Sequence, residues 1–243
     1  MKFGLCGSVQ DAVIAAEAGF DYIELWAAKI FADDYELPAL ALPVEATNGF
    51  LPDSVTLFGP DATPWRPYVL ATLPRAQAAG VKQMVVGSGR ARTAHTPSDE
   101  AAFLEICDEI NALAAEFGIV TGPEPLNGKE CNLGNDQGAM ARGLASRSYV
   151  SDAYHVLVQA ELDGTVLDWE AALPYAPTHV HVANLARTVP TPDDAALLGF
   201  VARLREVEFT GRVSFEGNVG RSLEELTALR NVLASLFSGS TQH

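Results

Sequence analysis

Basic residues are scarce in this chain of 243 residues. Lysine and arginine together number 16 against 31 aspartates and glutamates, which leaves a formal net charge of −15. A nucleic-acid-binding protein needs a basic surface, and a protein that docks on anionic lipid needs one as well. The shortage of positive charge therefore argues against a nucleic-acid partner and against a membrane partner.

Cysteine and long apolar runs are scarce too. The three cysteines, Cys6, Cys107 and Cys131, are odd in number and show no C-x-x-C spacing, so a reducing compartment is the simpler inference. No run of about 20 consecutive apolar residues predicts a membrane span. The opening "MKFGLCGS" has one lysine and a short apolar run, which is too little for a secretory signal. The expected location is the cytoplasm.

A glycine-rich phosphate turn is also missing. A doubly wound open sheet, the alternative α/β architecture, normally carries G-x-G-x-x-G directly after its first strand, and "CGSVQDA" lacks it. Short β-like runs instead alternate with helical patterns from end to end, and no linker interrupts them. We predict an α/β fold, a single (β/α)8 TIM barrel domain over residues 1–243. The predicted strands cover residues 2–6, 22–26, 42–48, 83–88, 118–124, 148–152, 179–184 and 212–217.

Three polar residues predict where helices begin. Thr96 and Thr191 each precede a proline, which suits the first helical position, so each threonine is the expected N-cap. The segment "SLEE", which starts at Ser222, fits a capping box. Apolar residues follow the first and the last of these caps at three- and four-residue steps, as a buried helix face requires. They are Phe103, Ile106, Ile110, Leu113 and Phe117, and then Leu226, Leu229, Leu233 and Leu236.

One polar residue capable of chemistry stands near the end of each late strand. These residues are Glu124, Asp152, His181 and Glu216, separated by 28, 29 and 35 residues, each about one β/α unit. Active sites of TIM barrels lie at the C-terminal ends of the strands. Alternation along the strands turns His181 and Glu216 inward, because the apolar residues beside them face the outer helices. We therefore expect the four side chains to converge at the mouth of the barrel.

Three carboxylates and one imidazole at a single place predict a metal site. Burying three acids together without a cation is costly. A ligand set made mostly of hard oxygen atoms suits Mn²⁺ best, followed by Mg²⁺ and Co²⁺, and Zn²⁺ is also compatible. The predicted cofactor is therefore one divalent metal ion.

Several segments resemble those of the xylose isomerase-like TIM barrels. They are "EPLN" with the glutamate at 130, "DAYH" at 152–155, "HVHVANLAR" at 179–187 and "SFEG" at 214–217, together with "GFDYIELW" and "MVVGSGRAR". The resemblance covers nearly the whole chain. This superfamily includes sugar phosphate isomerases and epimerases, ketose 3-epimerases and hydroxypyruvate isomerase. The resemblance implies a TIM barrel whose partner is a small sugar or sugar phosphate, and it leaves the oligomeric state open, with a homo-oligomer among the alternatives.

The resemblance to ketose 3-epimerases implies roles residue by residue. The metal ligands would be Glu124, Asp152, His181 and Glu216. Contacts to sugar oxygens would come from His155, Arg187 and Glu130. The chain departs from the family after "EPLN", where Gly128 replaces the usual basic residue, and this departure leaves the substrate preference open.

A separate loop bears on whether the substrate is phosphorylated. The segment "GSGRART", residues 87–93, follows the fourth strand, and its Arg90, Arg92 and backbone N–H groups could cradle a phosphate or a sugar acid. A loop whose glycines merely turn the chain explains the same residues equally well. Arg90 is the substrate-binding residue predicted from this loop.

The expected reaction is isomerisation or epimerisation of a keto sugar or sugar phosphate through a metal-stabilised enediolate. Glu124 and Glu216 are the predicted acid/base pair. A proton returned to the same carbon with inversion gives the epimer, and a proton returned to the neighbouring carbon gives the isomer. Pro123 and Pro125 are expected to limit the movement of Glu124 between them.

Two alternative functions stay open, and a third is disfavoured. A metal-dependent dehydratase or lyase acting on a keto sugar or polyol uses the same enolate and differs only in what leaves. A sugar-binding barrel without turnover would leave two inward glutamates with no catalytic use. Endonuclease-type DNA-repair barrels need many more histidines than the five present here, and the negative charge opposes DNA binding.

Overall fold

Eight parallel strands alternate with helices along the chain. The computed structural model describes residues 1–238. The strands are β1 (Lys2–Gly7), β2 (Tyr22–Trp26), β3 (Val44–Asn48), β4 (Gln83–Val86), β5 (Val120–Pro123), β6 (Val150–Asp152), β7 (His179–Val182) and β8 (Arg212–Phe215). Each lies within or next to a segment predicted from the sequence, so all eight predicted strands are confirmed.

The helices pack outside the strands. They are α1 (Ala12–Glu17), α2 (Ala27–Ile30), α3 (Arg66–Ala78), α4 (Asp99–Ala115), α5 (Gln137–Gly143), α6 (Ala153–Asp163), α7 (Trp169–Ala172), α8 (Ala195–Glu206) and α9 (Leu223–Ser238), with a 3-10 turn at Val9–Asp11. The predicted apolar steps of α4 and α9 face the core: Phe103, Ile110 and the four leucines of α9 are buried, and the other predicted α4 residues are partly buried against it. Burial of these stripes stabilises each helix on the sheet.

Of the three predicted helix starts, one is confirmed and two are wrong. Ser222 forms the expected capping box: its Oγ accepts from the N–H of Glu225 at 3.2 Å, and its own N–H donates back to that carboxylate at 3.1 Å. α4 begins at Asp99 instead of Pro97, because the Thr96 hydroxyl donates to the Asp99 carboxylate at 2.7 Å and so does not cap the helix. α8 begins at Ala195, and its N-cap is Asp194. At α8 the Asp194 carboxylate takes the capping position, whereas at α4 the Asp99 carboxylate binds the Thr96 hydroxyl that was expected to cap the helix.

The strands follow one another around a nearly closed barrel. Their order is β5-β4-β3-β2-β1-β8-β7-β6, so β1 pairs with both β2 and β8. Within residues 1–238 no backbone ladder joins β5 to β6, but the two backbones approach closely. A Cβ on Gly122 would lie 2.9 Å from the Cα of Tyr149, and Ser148 Oγ donates to the carbonyl of Thr121 at 2.5 Å. The single (β/α)8 TIM barrel is confirmed.

Alternation along the strands separates two environments, as predicted. The outward residues of β7 and β8 belong to the apolar core between barrel and helices, for example Val180, Val182 and Phe215. The inward residues of the same strands include His179 and His181, which are fully buried and polar. The barrel interior therefore carries ionisable groups, whereas the layer outside it is apolar.

The loops at the C-terminal ends of the strands build the mouth. The longest connects β3 to α3 through residues 49–65. The described residues contain no helix that is both long and apolar enough to cross a bilayer. The three cysteines form no disulfide. A cytoplasmic location stays a prediction.

Candidate active site

The four predicted ligands stand where late strands end. Asp152 is the last residue of β6 and His181 lies within β7, while Glu124 and Glu216 directly follow β5 and β8. Backbone pairing extends one residue beyond both strands: the N–H of Glu124 donates to Val86 at 3.3 Å, and the N–H of Glu216 donates to the carbonyl of β7's last residue at 3.2 Å. The sheet therefore fixes the backbone of each glutamate at the mouth.

The side chains of these four residues meet around one atom. His181 Nδ1 lies 2.5 Å from Glu124 Oε1, 3.7 Å from Asp152 Oδ2 and 3.7 Å from Glu216 Oε2. The three carboxylates also have potential ligand atoms within 4.8 Å of one another and of His155. Two imidazoles thus border the carboxylates. His181 Nδ1 faces all three acids, whereas His155 Nε2 lies 4.0 Å from Asp152 Oδ2 alone. We define Glu124, Asp152, His181 and Glu216 as the mouth cluster.

Electrostatics in the mouth cluster favour a cation. Burial raises the pKa of Asp152 and of Glu216, with only partial compensation from nearby histidines. Burial would lower the pKa of His181, but the carboxylates of Glu24, Glu124 and Glu216 outweigh it and raise that pKa well above its ordinary value. Asp152 and Glu216 thus favour their neutral forms, and His181 favours its charged form. Both shifts indicate that the site has too little positive charge for its carboxylates. The donor set therefore fits a divalent ion with hard ligands.

A second polar group lies beneath this cluster, inside the barrel. Glu24 accepts from His181 Nε2 at 2.8 Å, from His179 Nε2 at 2.8 Å and from Ser214 Oγ at 2.5 Å. Tyr22 OH in turn lies 2.8 Å from Ser214 Oγ. Burial raises the pKa of Glu24, but the two histidines outweigh it and hold that pKa well below its ordinary value. We call Glu24, His179, Ser214 and Tyr22 the inner network; it orients the His181 ring so that Nδ1 points to the mouth.

The predicted sugar contacts His155 and Glu130 lie beside the mouth cluster. His155 is buried in the first turn of α6, where its N–H donates to Asp152 Oδ1 at 3.0 Å. Its Nδ1 lies 2.9 Å from the Asn127 side-chain amide nitrogen, which also donates to Glu130 Oε1 at 3.2 Å. Asn127 thus holds both predicted contacts together. The sequence analysis gave this asparagine no role, although it belongs to "EPLN".

Arg187 connects the predicted sugar contacts to the mouth cluster. Its guanidinium donates to Glu216 Oε2 at 3.1 Å and to Glu130 Oε1 at 3.4 Å, and it lies 4.7 Å from the centre of the Tyr154 ring. These contacts raise the pKa of Arg187 against the effect of its burial.

The two arginines of the 87–93 loop point to different places. Arg90 lies at the rim of the mouth, where its guanidinium donates to Asp53 Oδ2 at 2.9 Å and 84% of its side chain is exposed. Arg92 is fully buried beneath the loop, with its guanidinium 5.0 Å from the Phe103 ring and one bond of 3.4 Å to the carbonyl of Val86. The suggestion that Arg92 reaches the substrate was therefore wrong, because its side chain packs against α4.

A cavity of about 630 Å³ opens over the mouth cluster. Glu124 and Glu216 line it, and Asp152 and His181 lie behind them. Every residue predicted to contact substrate lines the same cavity: His155, Arg187, Glu130 and Arg90. This volume lies within the usual range for small-molecule sites.

Two further cavity residues were missed by the sequence analysis. Asn48 ends β3, and its amide nitrogen donates to Glu216 Oε1 at 3.2 Å. Trp26 ends β2 with 56% of its surface exposed. Both carry the signal used for the late strands, a distinctive residue at the C-terminal end of a strand. Applying that rule to the early strands would have found them.

Comparison with known proteins identifies the fold. No protein-family model matches the chain, and no curated protein matches it by sequence. Solved structures match over nearly the whole length and include a xylose isomerase-like TIM barrel within a fusion protein. The chain therefore has the xylose isomerase-like TIM barrel fold that its motifs resemble.

Three solved structures illustrate this similarity. Apo 3-keto-D-glucoside 4-epimerase YcjR from E. coli is 21% identical, with a TM-score of 0.67 over 98% of this chain and 100% of that one. An L-ribulose 3-epimerase is 15% identical, with a TM-score of 0.76 over 98% and 94%. IOLI protein with a bound zinc atom is 16% identical, with a TM-score of 0.73 over 100% of both chains.

Proposed function

We propose that this protein is a divalent-metal-dependent isomerase or epimerase of a keto sugar. The observation that carries the proposal is the mouth cluster: three carboxylates converge on His181 Nδ1 at the floor of a cavity. Similar folds belong to sugar epimerases and to a protein with a bound zinc atom, which supports both parts of the proposal. A carbohydrate small enough for the cavity is the proposed partner.

The metal is proposed to lie among Glu124, Asp152, His181 and Glu216. A divalent ion held by these four residues, Mn²⁺ in our proposal, would supply the Lewis acidity that makes the C–H bond beside a carbonyl acidic. The inner network supports this arrangement, because Glu24 accepts from His181 Nε2 and so turns Nδ1 toward the three carboxylates as the nitrogen that would coordinate the ion.

Glu124 and Glu216 are proposed to transfer the proton. They reach the same cavity from β5 and β8, which lie three positions apart around the barrel when it is followed across the approach of β5 to β6. One glutamate removes a proton from the carbon beside the carbonyl, and the other returns a proton from its own side.

The remaining cavity residues are proposed to bind the sugar. His155 and Arg187 contact hydroxyl oxygens and face the negative charge that develops as the proton leaves. Glu130 accepts from a hydroxyl and keeps Arg187 in place through their contact of 3.4 Å. Arg90, at the rim, contacts the outer part of the substrate.

Hydrogen exchange tests the proposal without knowledge of the natural product. Chelated protein is reloaded with Mn²⁺ in D₂O, and a panel of keto sugars that includes D-fructose, D-tagatose and D-psicose is followed by NMR. We expect deuterium at the carbon beside the carbonyl, and none when the chelator is left in excess. Bound Mn²⁺ with no exchange in any sugar would reject the isomerase proposal in favour of binding without turnover.

A further inference from the structure

The rim of the cavity holds an aromatic side chain that the proposed proton transfer does not use. Trp26 is 56% exposed, and within residues 1–238 it is the one tryptophan or phenylalanine with a mostly open surface. Its indole N–H has no acceptor among the described residues. It lines the same cavity as Glu124 and Glu216. An aromatic face and a free donor therefore border the proposed reaction site.

The backbone around Trp26 is shaped to receive the indole. Trp26 stands beside Asn48 in the pairing of β2 with β3, and Asn48 contacts Glu216. A Cβ on Gly49 would lie 2.2 Å from the indole Nε1, and Gly49 has a φ of +54°. Any other residue at position 49 would clash with the ring and strain the backbone. The indole is thus seated beside Asn48, which contacts a proposed catalytic glutamate.

The charges in the cavity disfavour an anionic ligand. Both arginines that line it already have carboxylate partners: Arg90 contacts Asp53, and Arg187 contacts Glu216 and Glu130. Among the described residues, no lysine lines the cavity. The whole chain carries a net charge of −15, and a negative surface repels anionic substrates.

The loop after β4 supplies neutral donors to the rim. The backbone N–H groups of Ser88, Gly89 and Arg90 find no acceptor within residues 1–238, and all three residues line the cavity. Such donors suit hydroxyl and ring oxygens. Phosphate oxygens suit these donors as well, so a phosphorylated sugar is the rival ligand.

We propose that Trp26, Gly49, Asp53 and Arg90 form an outer subsite for an uncharged second sugar ring. The apolar C–H face of that ring packs on the indole, while its hydroxyls bond to the Asp53–Arg90 pair, the indole N–H and the free backbone donors. The substrate is then a glycoside or short oligosaccharide that carries the keto unit, and a phosphorylated monosaccharide is excluded. This inference rests on the proposed function, because the keto unit is placed at the mouth cluster.

Three probes with the same fructose unit test the subsite. They are D-fructose, isomaltulose, which carries a glucosyl ring on O6, and D-fructose 6-phosphate, which carries a phosphate on the same oxygen. Binding to the Mn²⁺-loaded protein is measured by calorimetry, and deuterium exchange is followed in parallel. We expect isomaltulose to bind roughly tenfold more tightly than D-fructose, and the phosphate no more tightly than D-fructose. Isomaltulose binding equal to or weaker than that of D-fructose, or a preference for the phosphate, overturns the subsite.

A matched pair of variants locates the effect. Trp26→Leu removes the exposed ring, and we expect it to abolish the preference for isomaltulose over D-fructose. Trp65→Leu makes the same change outside the cavity lining and is expected to keep the preference. An unchanged preference in Trp26→Leu also overturns the proposal. Calorimetry measures binding independently of turnover. If no deuterium exchange occurs but the preference for isomaltulose over D-fructose still depends on Trp26, the proposed function is rejected and the subsite stands.

Discussion

The mouth cluster and the inner network are built from the same kinds of side chain, yet they differ in charge balance and in access to solvent. The inner network shares one carboxylate, Glu24, between two histidines and a serine, and it is fully buried. The mouth cluster sets three carboxylates against His181 and opens onto a cavity.

This difference separates a supporting role from a chemical one. In the inner network both oxygens of Glu24 have donors, so this carboxylate is satisfied as it stands, although His179 Nδ1 has no partner. In the mouth cluster negative charge exceeds positive charge, and the surplus can be met by a cation. The number of acids per histidine, together with exposure, distinguishes the two layers, whereas the residue types alone do not.

Glu216→Gln is expected to have the largest effect. Removing the carboxylate leaves the fold intact and lowers the rate of deuterium exchange by about 10³-fold, because an acid/base group contributes roughly this much. Exchange is measured by NMR in saturating Mn²⁺, and Mn²⁺ uptake is measured separately to show that the variant is loaded. Wild-type turnover in the loaded variant would remove Glu216 from the mechanism.

Glu24→Gln is expected to lower the stability of the fold more than it lowers the rate of deuterium exchange. It leaves His179 and His181 without their shared carboxylate and should lower the free energy of unfolding by about 3 kcal/mol. Urea denaturation of the metal-free protein measures the change. Glu17→Gln, which neutralises an exposed acid in the same part of the chain, is the control and should change stability by less than about 0.5 kcal/mol. Equal effects would show that the inner network is not a stabilising unit.

Metal binding at the mouth cluster is expected to stabilise the folded protein. Mn²⁺ at about 100 times its Kd should raise the free energy of unfolding by about 2.7 kcal/mol. Asp152→Asn keeps the cap on α6, since asparagine caps as well as aspartate, but removes one ligand charge and should abolish most of this gain. Asp61→Asn, on the exposed surface, should keep it. A gain that persists in Asp152→Asn would place the ion elsewhere.

Asn48→Ala is expected to have the smallest effect. Loss of the 3.2 Å bond to Glu216 Oε1 should lower kcat about tenfold with little change in KM, because a hydrogen bond to a charged group contributes about this much. Asn132→Ala, outside the cavity lining, is the control. A rise in KM at constant kcat would instead make Asn48 a substrate contact.

Most of the fold was predictable because it depends on local patterns. Eight β-like runs separated by helical segments require a parallel sheet covered by helices. The caps were less predictable: the Asp99 carboxylate accepts from the Thr96 N–H and hydroxyl, and only this arrangement in space keeps the threonine from capping α4. The approach of Gly122 to Tyr149, which brings β5 and β6 together, likewise has no local signature.

The site was partly predictable for the same reason. A residue at the C-terminal end of a barrel strand points to the mouth wherever alternation turns it inward, so Glu124, Asp152, His181 and Glu216 could be chosen from the sequence. Arg92 could not be separated from Arg90, since both lie in one loop and only packing against Phe103 buries one of them.

The sequence by itself determined the alternation of strands and helices and the four side chains placed at strand ends, because period and spacing act along the chain. Only the tertiary structure decided which groups are paired: Glu24 with two histidines, Asn48 and Arg187 with Glu216, and Arg90 with Asp53. Pairing depends on distances of a few ångströms between residues far apart in sequence, and those distances exist only once the barrel has formed.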